Sequence, residues 1–330
     1  MTTRKILEPL TFSRMIEAPY FLAQNRIALI PLVGRNNDWV TGYKIYMSLE
    51  GESYFELTNS STFQHVGRLD ADYEMTNKID RGDGFSVTFL CGKPDLIETI
   101  TEQWNMTGFN LALLGGELIS FKTVTPITTS QYQFTDVIRG RLDTQNIAHG
   151  KGETFWFLGR TGYDMIQDAE FVHGAIRYFK FIPMGLNGVG NISNCPAYRH
   201  TITSRALTPY PVTNLRVNGA RTQAQYTTDL AISWTPRTRG DGSGVGVIDQ
   251  MISKEVAWEG SFKIEVYVSD TKIATYTDLS GSEWLYKAAW LTSDNGGELP
   301  LALTLKISGF IVDRSYTYES EQVEITVKKV

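Results

Sequence analysis

The chain has 330 residues, 42% hydrophobic and 12% aromatic, enough to bury sizeable cores and too apolar for a disordered polymer. Its net charge is −5, so the basic footprint of a nucleic-acid-binding protein is missing overall. Two cysteines, Cys91 and Cys195, make no disulfide framework and no Cys-x-x-Cys pair. Two free thiols fit a reducing cytoplasm, with a single Cys91–Cys195 bridge left open.

The N-terminal residues hold no apolar stretch of signal-peptide length, and the longest apolar run, Ile27–Val33, is too short to span a bilayer. Neither export nor stable membrane insertion is expected. From there period-two alternation dominates. Gly42–Ser48 sets Tyr43, Ile45 and Met47 on one face, and Phe85–Cys91 does the same with Phe85, Val87, Phe89 and Cys91. Asn110-Leu-Ala-Leu-Leu-Gly-Gly-Glu-Leu-Ile-Ser-Phe121 reads as two short strands around a Gly115-Gly116 turn. Tyr132–Ile138, Thr154–Leu158 and Ala175–Ile182 are further strands, and Arg139-Gly-Arg-Leu-Asp-Thr144 is a Gly-marked bend. A short helix is predicted at Leu96–Trp104.

Leu207-Thr-Pro-Tyr-Pro-Val212 reads as a stiff extended linker, because each proline biases its predecessor away from helix. It divides the chain into 1–207 and 208–330. Strands follow at Pro211–Val217, Leu230–Pro236, Phe262–Val268, Lys272–Tyr276, Leu301–Ile307 and Gln322–Val327. Arg239–Gly246 reads as a flexible loop. The fold class is all-β, a sandwich or barrel-like N-terminal region followed by a second sandwich.

No residue set announces chemistry. His65, His149, His173 and His200 are scattered without metal-ligand spacing, and neither cysteine sits where a thiolate is favoured. The Gly-rich runs Gly185–Gly190 and His149–Thr154 lack a P-loop ending and read as turns. Asp70, Asp72 and Glu74 share one side of an extended segment and could hold a cation or form a glycosidase pair; a solvated edge is the plainer reading. Two Arg-Gly-Asp triplets, at Arg81 and Arg239, are explained by turn chemistry. The pairs Arg139/Arg141 and Arg237/Arg239 are the candidate interface residues, since guanidiniums two residues apart on an extended segment project together toward a neighbouring subunit or domain. No catalytic, cofactor-binding or metal residue is assigned.

Several segments, in order, resemble phage-tail hub proteins of the gene-transfer-agent type: Glu17–Phe21, Trp39–Tyr54, Asn110–Phe121, Arg139–Thr144 and Ile232–Arg239. The part after the linker resembles a fibronectin type III domain, with Trp234 as its buried early-strand tryptophan and Tyr267 as its later-strand tyrosine, the two candidate core residues. The resemblance implies a structural component of a phage tail tip or baseplate. It implies a homotrimer partnered by the hub, the distal tail protein and the central fibre or spike, assembled in the host cytoplasm and located in the virion. Family members carry a large N-terminal ring portion that this sequence does not show, so a distal piece docking onto the hub is expected. The alternative is a receptor-binding module recognising a host glycan or protein, which a cluster of Trp258, Trp284 and Trp290 would favour. A cell-wall hydrolase would need paired carboxylates across a cleft.

Overall fold

The computed structural model describes residues 7–330 apart from 77–78, 107–108, 160–162, 187, 238–259 and 314. It is all-β and divides into two compact units, the first ending at Ala206 and the second beginning at Leu207. No helix among the described residues is long and apolar enough to cross a membrane.

In chain order the first unit contains β1 (Ser13–Glu17), α1 (Tyr20–Ala23), β2 (Leu29–Val33), β3 (Val40–Ser48), β4 (Phe55–Ser60), β5 (His65–Leu69), β6 (Ile79–Asp80) and β7 (Phe85–Cys91). It continues with α2 (Glu102–Met106), β8 (Leu111–Leu114), β9 (Glu117–Pro126), β10 (Gln131–Ile138), β11 (Thr154–Phe157), β12 (Ile176–Gly185), β13 (Gly188–Val189) and β14 (Tyr198–Thr201). The hydrogen-bonded order β10-β7-β5-β11-β8-β9 returns to β10, which closes an antiparallel barrel; β6 pairs with Val137 and Ile138 of β10, past the Gln131–Phe134 stretch that pairs with β7. Closure leaves those strands no open edge. A barrel this small has no room for a channel, and its interior is filled by Phe85, Phe89, Phe121, Phe134 and Phe155. Phe134 lies at the centre, with ring centroids 4.4 Å from Phe121, 5.3 Å from Phe85 and 5.4 Å from Phe155.

The β1–β2 hairpin joins this barrel to a second sheet, β13-β12-β3-β4, with β14 on β12. All residues of β2 are buried, and the period of two explains how. Ile30 and Leu32 pack with barrel residues Val66, Leu113 and Trp156, whereas Leu29 and Val33 pack with Tyr43, Ile45 and Phe181 of the second sheet. The helix predicted at Leu96–Trp104 forms only at its C-terminal end. A single 3-10 turn spans Pro94–Leu96, α2 starts only at Glu102, and the residues between run extended so that Ile97 and Ile100 are buried.

The second unit is a two-sheet sandwich. Its elements are β15 (Thr213–Val217), β16 (Ala224–Tyr226), β17 (Leu230–Thr235), β18 (Ser261–Val268), β19 (Thr271–Leu279), β20 (Glu283–Tyr286), α3 (Ala288–Asp294), β21 (Ala302–Asp313), β22 (Tyr316–Glu319) and β23 (Val323–Lys329). The sheet β15-β17-β20 faces the sheet β16-β23-β21-β18-β19, the strand order of a fibronectin type III-like sandwich. Trp234 of β17 is buried in the shared core, 5.1 Å from Phe262. Tyr267 is a correction. Along β18 the inward residues are Phe262, Ile264 and Val266, so Tyr267 falls on the outer face. There its hydroxyl donates to Glu265 (3.0 Å), beside Lys272 and Gln322. Burial raises the Glu265 carboxyl, but these donors outweigh it and hold the group down at about 2.

Candidate functional site

The two sequence motifs singled out in the first unit are the halves of one buried cluster. β8 and β9 are joined by the two-residue Gly115-Gly116 loop, with Gly115 at a φ of 57°. A side chain at Gly115 would also collide with the Glu153 carboxylate, so both backbone and space call for glycine. On β9 the parity that sends Ile119 and Phe121 into the barrel sends Glu117 the same way, at the strand's first residue. Val137 of β10 faces inward beside Phe121, and Arg139, two residues on, follows it. Strand pairing therefore brings Glu117 and Arg139 together at one mouth of the barrel.

There they form a two-pronged ion pair: Arg139 Nε donates to Glu117 Oε1 (2.9 Å) and a terminal nitrogen to Oε2 (2.8 Å), with neither side chain exposed. The carboxylate also accepts the Gly140 N–H (2.6 Å) and the Ile147 N–H (3.3 Å). His149 sets one ring nitrogen against Glu117 (2.9 Å) and the other against Glu153 (2.8 Å). Arg139 further donates to the carbonyls of Glu74 and Ile147 and lies 4.3 Å over the Tyr73 ring. Tyr73 in turn donates to Asp80 (2.7 Å). Four separate stretches of chain are thus stitched across the barrel end.

The electrostatics follow from that wiring. Burial pushes the Glu117 carboxyl up, yet the bonds from His149, Arg139 and Gly140 outweigh it and hold the group below its ordinary value. Burial and the bond to Asp80 push the Tyr73 phenol far up, so it stays a neutral donor. A second buried carboxylate, Glu17 on β1, accepts from the backbone of Thr203 and Arg205 and from the Thr203 hydroxyl. Burial raises it too, and the His200, Thr203 and Arg205 contacts bring it below its ordinary value. A carboxyl lowered by folding contributes stability above its unfolded value, near 4.5, and that contribution disappears as pH falls through the lower folded value. Thermal midpoints of the first unit should hold steady from pH 7 to about 5 and then fall steeply toward pH 3; a flat profile would show that neither carboxylate is paired as described.

The interface role expected for the arginine pairs is not what this geometry provides. Arg139 and Arg141 are each only 1% exposed. The segment is not extended, because Gly140 and Leu142 both adopt left-handed backbone (φ of 58° and 50°), so the two guanidiniums do not share a face. Burial pushes the Arg141 guanidinium down to about 10. Thr144 completes the bend, its hydroxyl accepting from the Leu118 N–H (2.9 Å) and donating to the Arg141 carbonyl (2.9 Å). Arg237 is also buried, lying 5.0 Å over Tyr210 and donating to the Pro211 carbonyl (3.4 Å), so it fastens the linker to the end of β17. Arg239 lies outside the described residues.

The remaining sequence candidates are dispersed. Asp70 is occupied by Thr88 (2.6 Å) and Gln131 (2.9 Å), and Asp72 by the Lys151 N–H (2.7 Å). Cys91 and Cys195 are both free thiols, each raised by burial. Among the described residues no cluster of His, Cys, Asp and Glu could hold a metal ion. Sequence reasoning missed His149, Glu117 and Glu153 as a set. The available signal was Glu117 itself, a charge at an inward position of an otherwise apolar strand, which requires a buried partner.

Residues 64–156, under a third of the chain, match the family described as Rcc01698-like, C-terminal. That stretch includes every member of the Glu117 cluster. No curated protein matches the chain. Among solved structures, the FN1–FN3 domains of chicken CNTN1 are 11% identical, with 98% of this chain and 100% of that one covered at a TM-score of 0.22. The D00–D0 domain of Intimin is 8% identical, with 78% and 98% covered at a TM-score of 0.17. Superpositions that poor bear on neither fold nor function.

Proposed function

We propose that the chain is a structural component of a bacteriophage tail tip or baseplate, docking onto the tail hub and central fibre as a homotrimer. The observation that carries this reading is the sealed Glu117–Arg139–His149 cluster. The two segments that most resemble tail hub proteins, Asn110–Phe121 and Arg139–Thr144, meet there and do mechanical work, holding a closed barrel at its mouth. Such a scaffold presents its surface to neighbours. Large apolar side chains stand exposed on this unit, among them Trp39, Phe55, Leu96 and Trp104, the kind of residue that anchors a subunit interface. Sedimentation velocity of the purified chain, alone and mixed with the hub and distal tail proteins, tests the reading. A trimer or a stable complex is expected. A concentration-independent monomer that binds none of them would overturn it.

A further inference from the structure

A different surface, on the second unit, carries an inference that holds whether or not the chain assembles into a tail. β15 ends in a tight turn. Val217 and Ala220 exchange backbone hydrogen bonds, and the two residues between them, Asn218 and Gly219, both have left-handed backbone (φ of 50° and 81°). The Asn218 side chain ties the turn down, donating to the Gln225 carbonyl (2.8 Å) and accepting from the Ala231 N–H (2.9 Å). One step back from the turn stand Arg216 on one arm and Arg221 on the other.

The two guanidiniums converge on one atom. Arg216 Nε donates to Asn214 Oδ1 (2.9 Å), and Arg221 Nε donates to the same oxygen (2.6 Å). Asn214 is set for this by a break in the ladder. The pairing of β15 with β17 shifts register between Thr213 and Arg216, and Asn214 takes left-handed backbone there (φ of 55°). Its amide nitrogen donates to the Thr235 hydroxyl (3.4 Å), which fixes the oxygen toward the arginines. Arg216 also donates to the Gly219 carbonyl (3.0 Å). Among the described residues, one terminal nitrogen of Arg216 and both of Arg221 make no hydrogen bond, and neither arginine has a carboxylate partner. Glu283 of β20 lies in the same row as Arg216, beyond Ser233, and pairs with neither.

Like charges side by side on opposed arms repel, and here the group between them is a neutral amide. An aspartate at 214 would cancel much of that repulsion; asparagine orients both forks and leaves their charge unspent. We propose that Arg216 and Arg221 form a binding site for a phosphate group of the phosphomonoester type, with Asn214 as the residue that positions them. A carboxylate is filled by a single guanidinium fork, whereas a phosphomonoester has three acceptor oxygens and nearly two charges to share between two forks. Nucleic acid fits less well, because its phosphates come in a row with one charge each and call for a longer basic stripe. Arg221 is exposed and Arg216 half-buried, so the site is open to solvent and of modest affinity.

The test titrates the full chain with inorganic phosphate at constant ionic strength, followed by calorimetry, and measures its retention on vesicles containing phosphatidic acid. Saturable binding at millimolar phosphate is expected, with sulfate competing and chloride not. Affinity should fall about tenfold in Arg221→Ala, whose exposed side chain leaves the thermal midpoint in place. Asn214→Asp should weaken phosphate binding at least as much while leaving the thermal midpoint equal or higher, a result that a merely structural role for Asn214 does not give. Phosphate binding without vesicle retention assigns the site to soluble phosphomonoesters, and retention that Arg221→Ala abolishes assigns it to a lipid headgroup; either upholds the proposal. No binding of phosphate, displacement by chloride as readily as by sulfate, or native affinity in Asn214→Asp or Arg221→Ala would each overturn it.

Discussion

Arg139→Met should destabilise the first unit by about 3–5 kcal/mol, and Glu117→Gln by a similar amount. The reason is what remains. With Arg139 gone, Glu117 keeps a carboxylate away from water with one charged partner fewer. With Glu117 neutralised, a buried guanidinium faces an amide. The two side chains are unexposed and share both prongs of the pair, so their effects should not add. The double variant Glu117→Gln/Arg139→Met should be less destabilised than the sum of the singles by about 2 kcal/mol or more. Urea denaturation of the three variants measures this directly. A cost under about 1 kcal/mol for Arg139→Met would mean that the arginine does not hold the barrel end, and would return it to the surface role that its sequence spacing implies.

Phe134→Ala should cost about 3–5 kcal/mol, through lost burial together with the cavity left behind. Its ring is fully buried and touches phenylalanines from β7, β9 and β11, so no single neighbour can move in to fill the space. Because a closed barrel cannot shear one strand past another without breaking pairs on both sides, collapse around the gap is resisted. Phe134→Leu, which keeps most of the volume, should cost roughly half as much or less. A Phe134→Ala variant whose urea midpoint barely moves would show that the ring does not sit at the barrel's centre.

Much of this fold is legible in the residues. Phe85–Cys91 alternates cleanly and forms β7 over those same residues, because one side faces the barrel core and the other does not. The prolines at 209 and 211 signal an extended linker, and the second compact unit begins at Leu207. Barrel closure was not legible. It depends on β10 pairing with both β7 and β9, and alternation says which face is wet without saying which strands are neighbours. The arginine bend was misread for a local reason. The spacing of Arg139 and Arg141 places both on one face only if the chain is extended, and the left-handed Gly140 removes that condition. His149 was hidden inside a Gly-Lys-Gly turn, and its two carboxylate partners lie 4 and 32 residues away. Trp284 and Trp290 do gather, joined by Tyr276 and Tyr286, which tryptophan spacing alone could not show. Trp258 lies outside the described residues.

The central claim, that this chain is a building block of a tail tip, is tested most directly by imaging. Tailed particles purified from cells that express the chain would be labelled with an antibody against the second unit and imaged by electron microscopy. Label at the distal end of the tail, at three copies per particle, is the result expected. Mature particles that carry none of the chain would contradict it.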